Sequence, residues 1–179
     1  MFTSKSVGPT ANGARPRMPW KLMVAGAFVA CAVGACALKT ARATAPVGFT
    51  ATNLVGPVMV GDFDTMAEAD DWKVRLKAKG LSDVYVTHIK IAPSGHGGWH
   101  SHPGPSIIAV KSGTATFYDE CNDFEPQDFP AGTGFVEDAG CVHLLTNEGN
   151  VDLEVIVTQI VPHGAPRRID EPAPPMVDD

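Results

Sequence analysis

From residue 54 onward, apolar and polar residues alternate in short runs broken by turn residues, and this rhythm restricts the chain to strands. In WKVRLKAKG, Trp72, Val74, Leu76 and Ala78 alternate with Lys73, Arg75, Lys77 and Lys79 as far as Gly80. Side chains two apart on a strand share a face, so the run reads as a strand with one buried side. The β-branched run DVYVTHIKI (83–91) reads as another, stopped at Pro93. SIIAVKSGTATFY (106–118) reads as two strands about a Ser112–Gly113 turn. GFVED (134–138), VHLLTN (142–147) and VDLEVIVTQIV (151–161) supply the rest, with turns at Ala139–Gly140 and Glu148–Gly149–Asn150. DTMAEADDW (64–72) reads as one helical turn or a loop. No long helical period and no internal repeat is present. Short strands at close, turn-separated spacing predict an all-β sandwich or barrel.

The two ends are unlike the middle. Residues 1–45 carry Lys5, Arg15, Arg17, Lys21, Lys39 and Arg42 and no acidic residue. Residues 46–179 carry the other eight basic residues against all 20 acidic ones, a formal charge of −12. A domain that negative repels phosphate backbones and anionic lipid, which argues against nucleic-acid binding. In the head, Arg15, Arg17 and Lys21 precede the uncharged stretch LMVAGAFVACAVGACAL (22–38). ARATA follows, offering small-x-small cleavage patterns at Ala41–Arg42–Ala43 or Ala43–Thr44–Ala45. The second puts Pro46 directly after the cut, so the first is preferred.

This is the layout of an N-terminal hydrophobic targeting segment. It is a cleaved signal peptide, a lipoprotein signal processed at Cys36 in VGAC, or a retained anchor. The apolar stretch is marginal for a bilayer about 30 Å thick. Each alternative exports the domain, to the periplasm or beyond, with membrane contact only through residues 1–45. Residues 46–161 form the barrel. The tail, PHGAPRRIDEPAPPMVDD (162–179), has five prolines and no apolar period, so it is expected to be extended or unordered, lying along the outside. Cys31 and Cys36 fall in the head, leaving Cys121 and Cys141 as an even pair in an oxidising compartment. A disulfide and two free thiols both fit, because sequence does not show whether their Cα atoms approach.

SGHGGWHSHPGPS (94–106) holds three of the six histidines. On a strand His100 and His102 project to the same face, while Trp99 and Ser101 face the other way. Two neutral imidazoles a pleat apart suit a borderline transition metal. Around them, Gly95 and Gly98 precede the pair, PGP (103–105) turns the chain, and Gly113 closes the next strand. Gly132 then opens GTGFVEDAGCVHLLTN, which contains Gly140, His143 and Asn147.

This arrangement resembles the two signature motifs of the cupin superfamily. His100, His102 and Gly113 match the first motif; Gly132, Gly140, His143 and Asn147 match the second, and the resemblance spans 80–161. It implies a cupin double-stranded β-helix, or jelly-roll barrel, in which His100, His102 and His143 hold one divalent metal ion. It also implies a small-molecule ligand or substrate and pairing into a homodimer. Two positions depart from the pattern: Ser106 stands where the family has its glutamate ligand, and Asp138 where the second motif has proline. Three histidines alone make a neutral site without the hard anionic oxygen that favours manganese, which points to Fe(II), Zn, Ni or Cu. The alternative is a metal-free, degenerate barrel whose histidines form a satisfied polar cluster.

The remaining candidates divide between function and structure. His96, in a glycine-rich loop, reads as a fourth ligand or a solvated loop residue. His88 lines the barrel or faces solvent, and His163 belongs to the tail. Trp99 reads as outer-layer packing, and Tyr85 and Tyr118 as strand formers or phenols near the metal. Ser106 could hydrogen-bond a metal-bound water. Glu137 and Asp138 read as a charged turn that needs no function.

Two functions follow. One is an exported cupin enzyme whose metal centre performs oxygenase-type oxidation of a small molecule, a reading by family analogy. The other is a non-enzymatic module that captures a small ligand or a metal. A third, purely structural reading, a stable dimerising barrel, leaves the collected histidines unexplained.

Overall fold

The computed structural model describes residues 42–175. The targeting stretch as far as Ala41, with Cys31 and Cys36, and the last four residues lie outside the described residues. Within them the chain forms β1 (Val47–Val60), β2 (Phe63–Ala69), β3 (Trp72–Ala78), β4 (Ser82–His96), β5 (His100–Ser101) and β6 (Ser106–Ser112). After these come β7 (Thr114–Asp119), a 3-10 turn (Glu120–Asn122), β8 (Gln127–Pro130), β9 (Gly134–Glu137), β10 (His143–Thr146), β11 (Leu153–Pro162) and β12 (Ile169–Asp170). The class is all-β. No helix among the described residues is long and apolar enough to cross a membrane.

β4 is the spine. It pairs antiparallel with β1 along one edge and with β11 along the other, from Leu153 opposite Ile91 to Pro162 opposite Ser82. The run continues through β6 to β9. A second run, β12–β5–β10–β7–β8, meets the first where Thr146 on β10 faces His96 at the end of β4. Strict alternation along β11 buries Leu153, Val155, Val157 and Val161, and along β6 it buries Ile108 and Val110. Ala115 and Phe117 from β7 and Leu145 from β10 join all of these but Val161 in one core. Because that core draws on both runs, they close over a shared interior.

β6 and β7 follow each other in sequence but do not pair. Gly113 turns the chain from the first run into the second with φ +75°, and a Cβ there would lie 2.9 Å from the Asp152 carbonyl oxygen. Glycine is required on both counts.

Three local expectations change. Residues 64–72 are β2 and its turn to β3, with neither a helical turn nor a loop at 64–69. Cross-strand pairing overrides the helix-favouring Ala and Glu: Nε and Nη2 of Arg75 reach Asp64, and Lys73 reaches Glu68. β3 is the predicted strand but lacks the predicted buried face. β2 and β3 pair only with each other, and Trp72 and Leu76 are exposed. β4 runs past Pro93 to His96, because its pairing with β1 bulges between Ile91 and His96 and no ladder donor is needed at the proline.

Asn147 ties the loop after β10 to the barrel. Fully buried, it donates through Nδ2 to the carbonyls of Ile91 and Val151, both at 2.8 Å, and accepts from the Gly149 amide at 3.1 Å. Asn147→Ala strands the buried Ile91 carbonyl at about 1–3 kcal/mol, while the Val151 carbonyl and the Gly149 amide belong to exposed residues and turn to water. A loss of about 2 kcal/mol in urea unfolding is expected with an unchanged m-value. A loss below about 1 kcal/mol would show that water replaces the amide at little cost.

Candidate metal centre

His100 lies on β5, His102 just beyond it, and His143 opens β10 directly opposite His100. The pairing of β5 with β10 thus joins the two sequence segments. All three imidazoles are inside: ring centroids are 4.4 Å apart for His100 and His143, 4.8 Å for His100 and His102, and 5.0 Å for His102 and His143. One nitrogen from each falls within 4.8 Å of the others.

The backbone fixes which nitrogen that is. His100 Nδ1 meets the Gly98 carbonyl at 2.8 Å, His102 Nδ1 that of Arg167 at 2.6 Å, and His143 Nδ1 that of Cys141 at 2.9 Å. A carbonyl only accepts, so each Nδ1 carries the proton and donates, and each Nε2 keeps its lone pair. Burial, followed by the charges of His143, Arg168 and His102, pushes His100 down to about 2 against the pull of the Gly98 carbonyl. Burial lowers His143 too, with Glu137 opposing it. Both rings therefore stay neutral at physiological pH, the form that ligates metals.

Glu137 changes the chemistry. It ends β9, is almost fully buried, and sits opposite Ser106 in the β6–β9 register. Its Oε2 is 3.4 Å from His102 Nε2 and its Oε1 is 3.7 Å from His143 Nε2. Burial is the largest influence on the carboxyl and raises it. The adjacent His102 and His143 imidazoles and the Ser106 hydroxyl outweigh burial and hold the carboxyl below its ordinary value. The expected three-histidine group is present, and Glu137 adds a carboxylate beside it. Ser106 stands where the resemblance asks for a glutamate, and the neighbouring strand brings Glu137 opposite it.

His143 Nε2 and Ser106 Oγ are buried without a hydrogen-bond partner of ordinary geometry among the described residues. Three imidazole lone pairs facing one another beside a carboxylate suit a cation. Ligand atoms around an ion bound at about 2.1 Å stand about 3–3.5 Å apart, close to the spacing of the Glu137 oxygens from the two imidazoles. The group could hold a divalent transition metal, and the anionic oxygen admits Mn(II) beside Fe(II), Zn, Ni and Cu.

The other sequence candidates lie elsewhere. His96 Nδ1 accepts from the Gly98 amide. His88 pairs with Glu154 and His163 with Asp83. Trp99 packs edge-on against Tyr118 and Phe124, and the Tyr118 hydroxyl donates to Glu148. Tyr85 lies under the Arg167 guanidinium, and Asp138 is exposed. A second cluster, Asp119 with Cys121 and Cys141, is no metal site, because the two cysteines form a disulfide that closes the open question of their pairing.

Beside the triad lies a cavity of about 210 Å³. Phe49, Ile89, Leu145 and Val157 give it apolar walls, and His100, His102 and Glu137 lie on one part of its lining. The tail residues Arg167 and Arg168 complete it. The tail is extended here, with β12 paired to β5, and the Arg167 carbonyl orients His102.

Residues 87–159 match the family model described as Cupin domain. No curated protein matches the chain. Among solved structures, the polyketide cyclase RemF from Streptomyces resistomycificus is 13% identical, with 72% of this chain and 75% of that one covered at a TM-score of 0.50. A predicted oxalate decarboxylase from Thermotoga maritima is 23% identical, with coverages of 46% and 83% and a TM-score of 0.39. The Cupin_2 domain of an XRE family transcriptional regulator from Enterobacter cloacae is 13% identical, with coverages of 68% and 100% and a TM-score of 0.44.

Proposed function

We propose that this chain, a cupin by its motif match over residues 87–159 and by its fold, binds one divalent transition metal through His100, His102, His143 and Glu137 and oxidises a small organic substrate in the adjoining cavity. One observation carries the reading: three Nε2 lone pairs converge beside a buried carboxylate. When bound, a divalent ion supplies Lewis acidity and open positions for substrate or O₂. The chain's own residues do the rest. The carbonyls of Gly98, Arg167 and Cys141 hold the rings in register, and Phe49, Ile89, Leu145 and Val157 exclude water from the substrate's apolar part.

Export belongs to the same proposal, supported by the apolar head and by the Cys121–Cys141 disulfide. So does a homodimer, supported by the outward Leu54, Val55, Val58 and Met59 of β1; sedimentation velocity reads it.

The test is elemental analysis of untagged protein followed by O₂ uptake. The expected result is about one metal ion per chain and substrate-dependent O₂ consumption restored by Fe(II) after chelation. Stoichiometric metal with ligand binding but no turnover would replace the enzyme by the non-enzymatic binding module. Absence of metal after growth in metal-supplemented medium would end the metal centre and leave only a metal-free module for a small ligand.

A further inference from the structure

The two arginines on the cavity are in opposite states. Arg167 is spent: Nε donates to Gln159 Oε1 at 3.1 Å, Nη1 to Asn53 Oδ1 at 2.7 Å and Nη2 to Thr87 Oγ1 at 2.8 Å, over the ring of Tyr85. It anchors the tail. Arg168 makes one ion pair, from Nε to the exposed Asp170, while its Nη2 is buried and has no hydrogen-bond partner among the described residues. A charged donor kept from water and left unpaired is costly, and native structures keep such groups where a ligand completes them.

The cavity's contents follow from its lining. At about 210 Å³ it is smaller than the roughly 300 Å³ at which drug-sized sites begin. Its walls are mainly apolar, which disfavours a sugar or a phosphate, whose many oxygens would each need a donor. With a divalent ion in place Glu137 is neutralised, Arg167 is satisfied, and the Nη2 of Arg168 remains as the unpartnered cationic donor, its Nε being held by Asp170. A carboxylate is the anion that a guanidinium edge matches best.

We propose that the cavity takes a small monocarboxylate with a compact apolar body, its carboxylate held by Arg168 and its body between Phe49, Ile89, Leu145 and Val157. This rests on the cavity being the substrate site of the metal centre, and it names the class of that substrate. Arg168 comes from the tail, beyond the segment that matches the family. The tail therefore sets specificity while the barrel supplies the metal ligands.

Benzoate and its neutral isostere benzamide are the probes, titrated by calorimetry into the full chain, both Zn(II)-loaded and metal-stripped. Wild-type protein is expected to bind benzoate about tenfold more tightly than benzamide when Zn(II)-loaded, the gain of one charge-assisted contact, and about threefold when metal-stripped, where the Glu137 carboxylate on the same cavity opposes an anion. In Arg168→Gln the ratio falls to within about twofold while benzamide affinity and metal content stay unchanged, which also reports an intact cavity. Arg168→Lys keeps the charge without the planar fork and should restore about a third of the preference. Loss of the preference in Arg168→Gln with retained metal supports the proposal. An unchanged ratio in Arg168→Gln overturns it, since the carboxylate would then sit on the ion, and so does a wild-type ratio near one. The metal reading is scored separately: metal-stripped protein that keeps the benzoate preference upholds Arg168 even where no native ion is found.

Discussion

A His143→Ala variant is expected to lose its metal at concentrations that saturate the wild type. The side chain is fully buried, faces His100 across the β5–β10 pairing, and presents an Nε2 that no described residue satisfies. Disturbing a group that merely orients a ligand costs about 10–100-fold in affinity, so deleting a ligand should cost at least about 100-fold. Competition against a chromophoric chelator reads this directly. Melting gives an independent measure: metal at 100 times its dissociation constant stabilises the wild type by about 2.7 kcal/mol, and the variant should show no such gain. The metal-free variant should still unfold cooperatively, because the core of Ile91, Ile108, Leu145, Leu153 and Val155 stays in place and only Phe117 loses its packing against the imidazole. Stoichiometric metal retained by this variant would remove the basis of the proposed chemistry.

Much of this centre is legible in the sequence, for reasons that also explain what is not. His100 and His102 share a face by strand period alone, and the interval from Gly140 to His143 and Asn147 places the third ring at the start of a strand. What sequence does not carry is register between strands far apart in the chain. Ser106 and Glu137 face each other because β6 pairs with β9, so the vacated glutamate position and its replacement lie 31 positions apart in sequence. A signal was nonetheless available. In GFVE, alternation puts Glu137 on the same side as the half-buried Phe135, with Gly134 and Val136 outside, and an acidic residue on an inward face is seldom idle.

The tail hid its role for a different reason. Its contribution to His102 is a backbone carbonyl, that of Arg167, and any residue type offers one. The β2–β3 hairpin shows the converse limit. Period two finds its strands but does not say what covers the apolar side, and there the pairing partner is only the other strand of the hairpin.

Glu137→Gln should weaken the hold on the ion and change which ion is preferred. The carboxylate is almost fully buried beside His102, His143 and the Ser106 hydroxyl, and its pKa is held below the ordinary value. A fold that favours the ionised form draws stability from it at any pH above the ordinary carboxyl range, so the metal-free variant should be less stable than wild type in urea unfolding at pH 8. With metal, the centre also loses its one anionic oxygen, and affinity should fall about 10–100-fold, more for Mn(II), a hard ion dependent on oxygen, than for Zn(II), which three imidazoles hold well. A carboxylate that served only to balance its neighbours would leave the Mn(II)-to-Zn(II) ratio unmoved. That result would return the centre to three neutral ligands, whereas a selective loss of Mn(II) would make the carboxylate brought in by the neighbouring strand the feature that decides which ion this barrel holds.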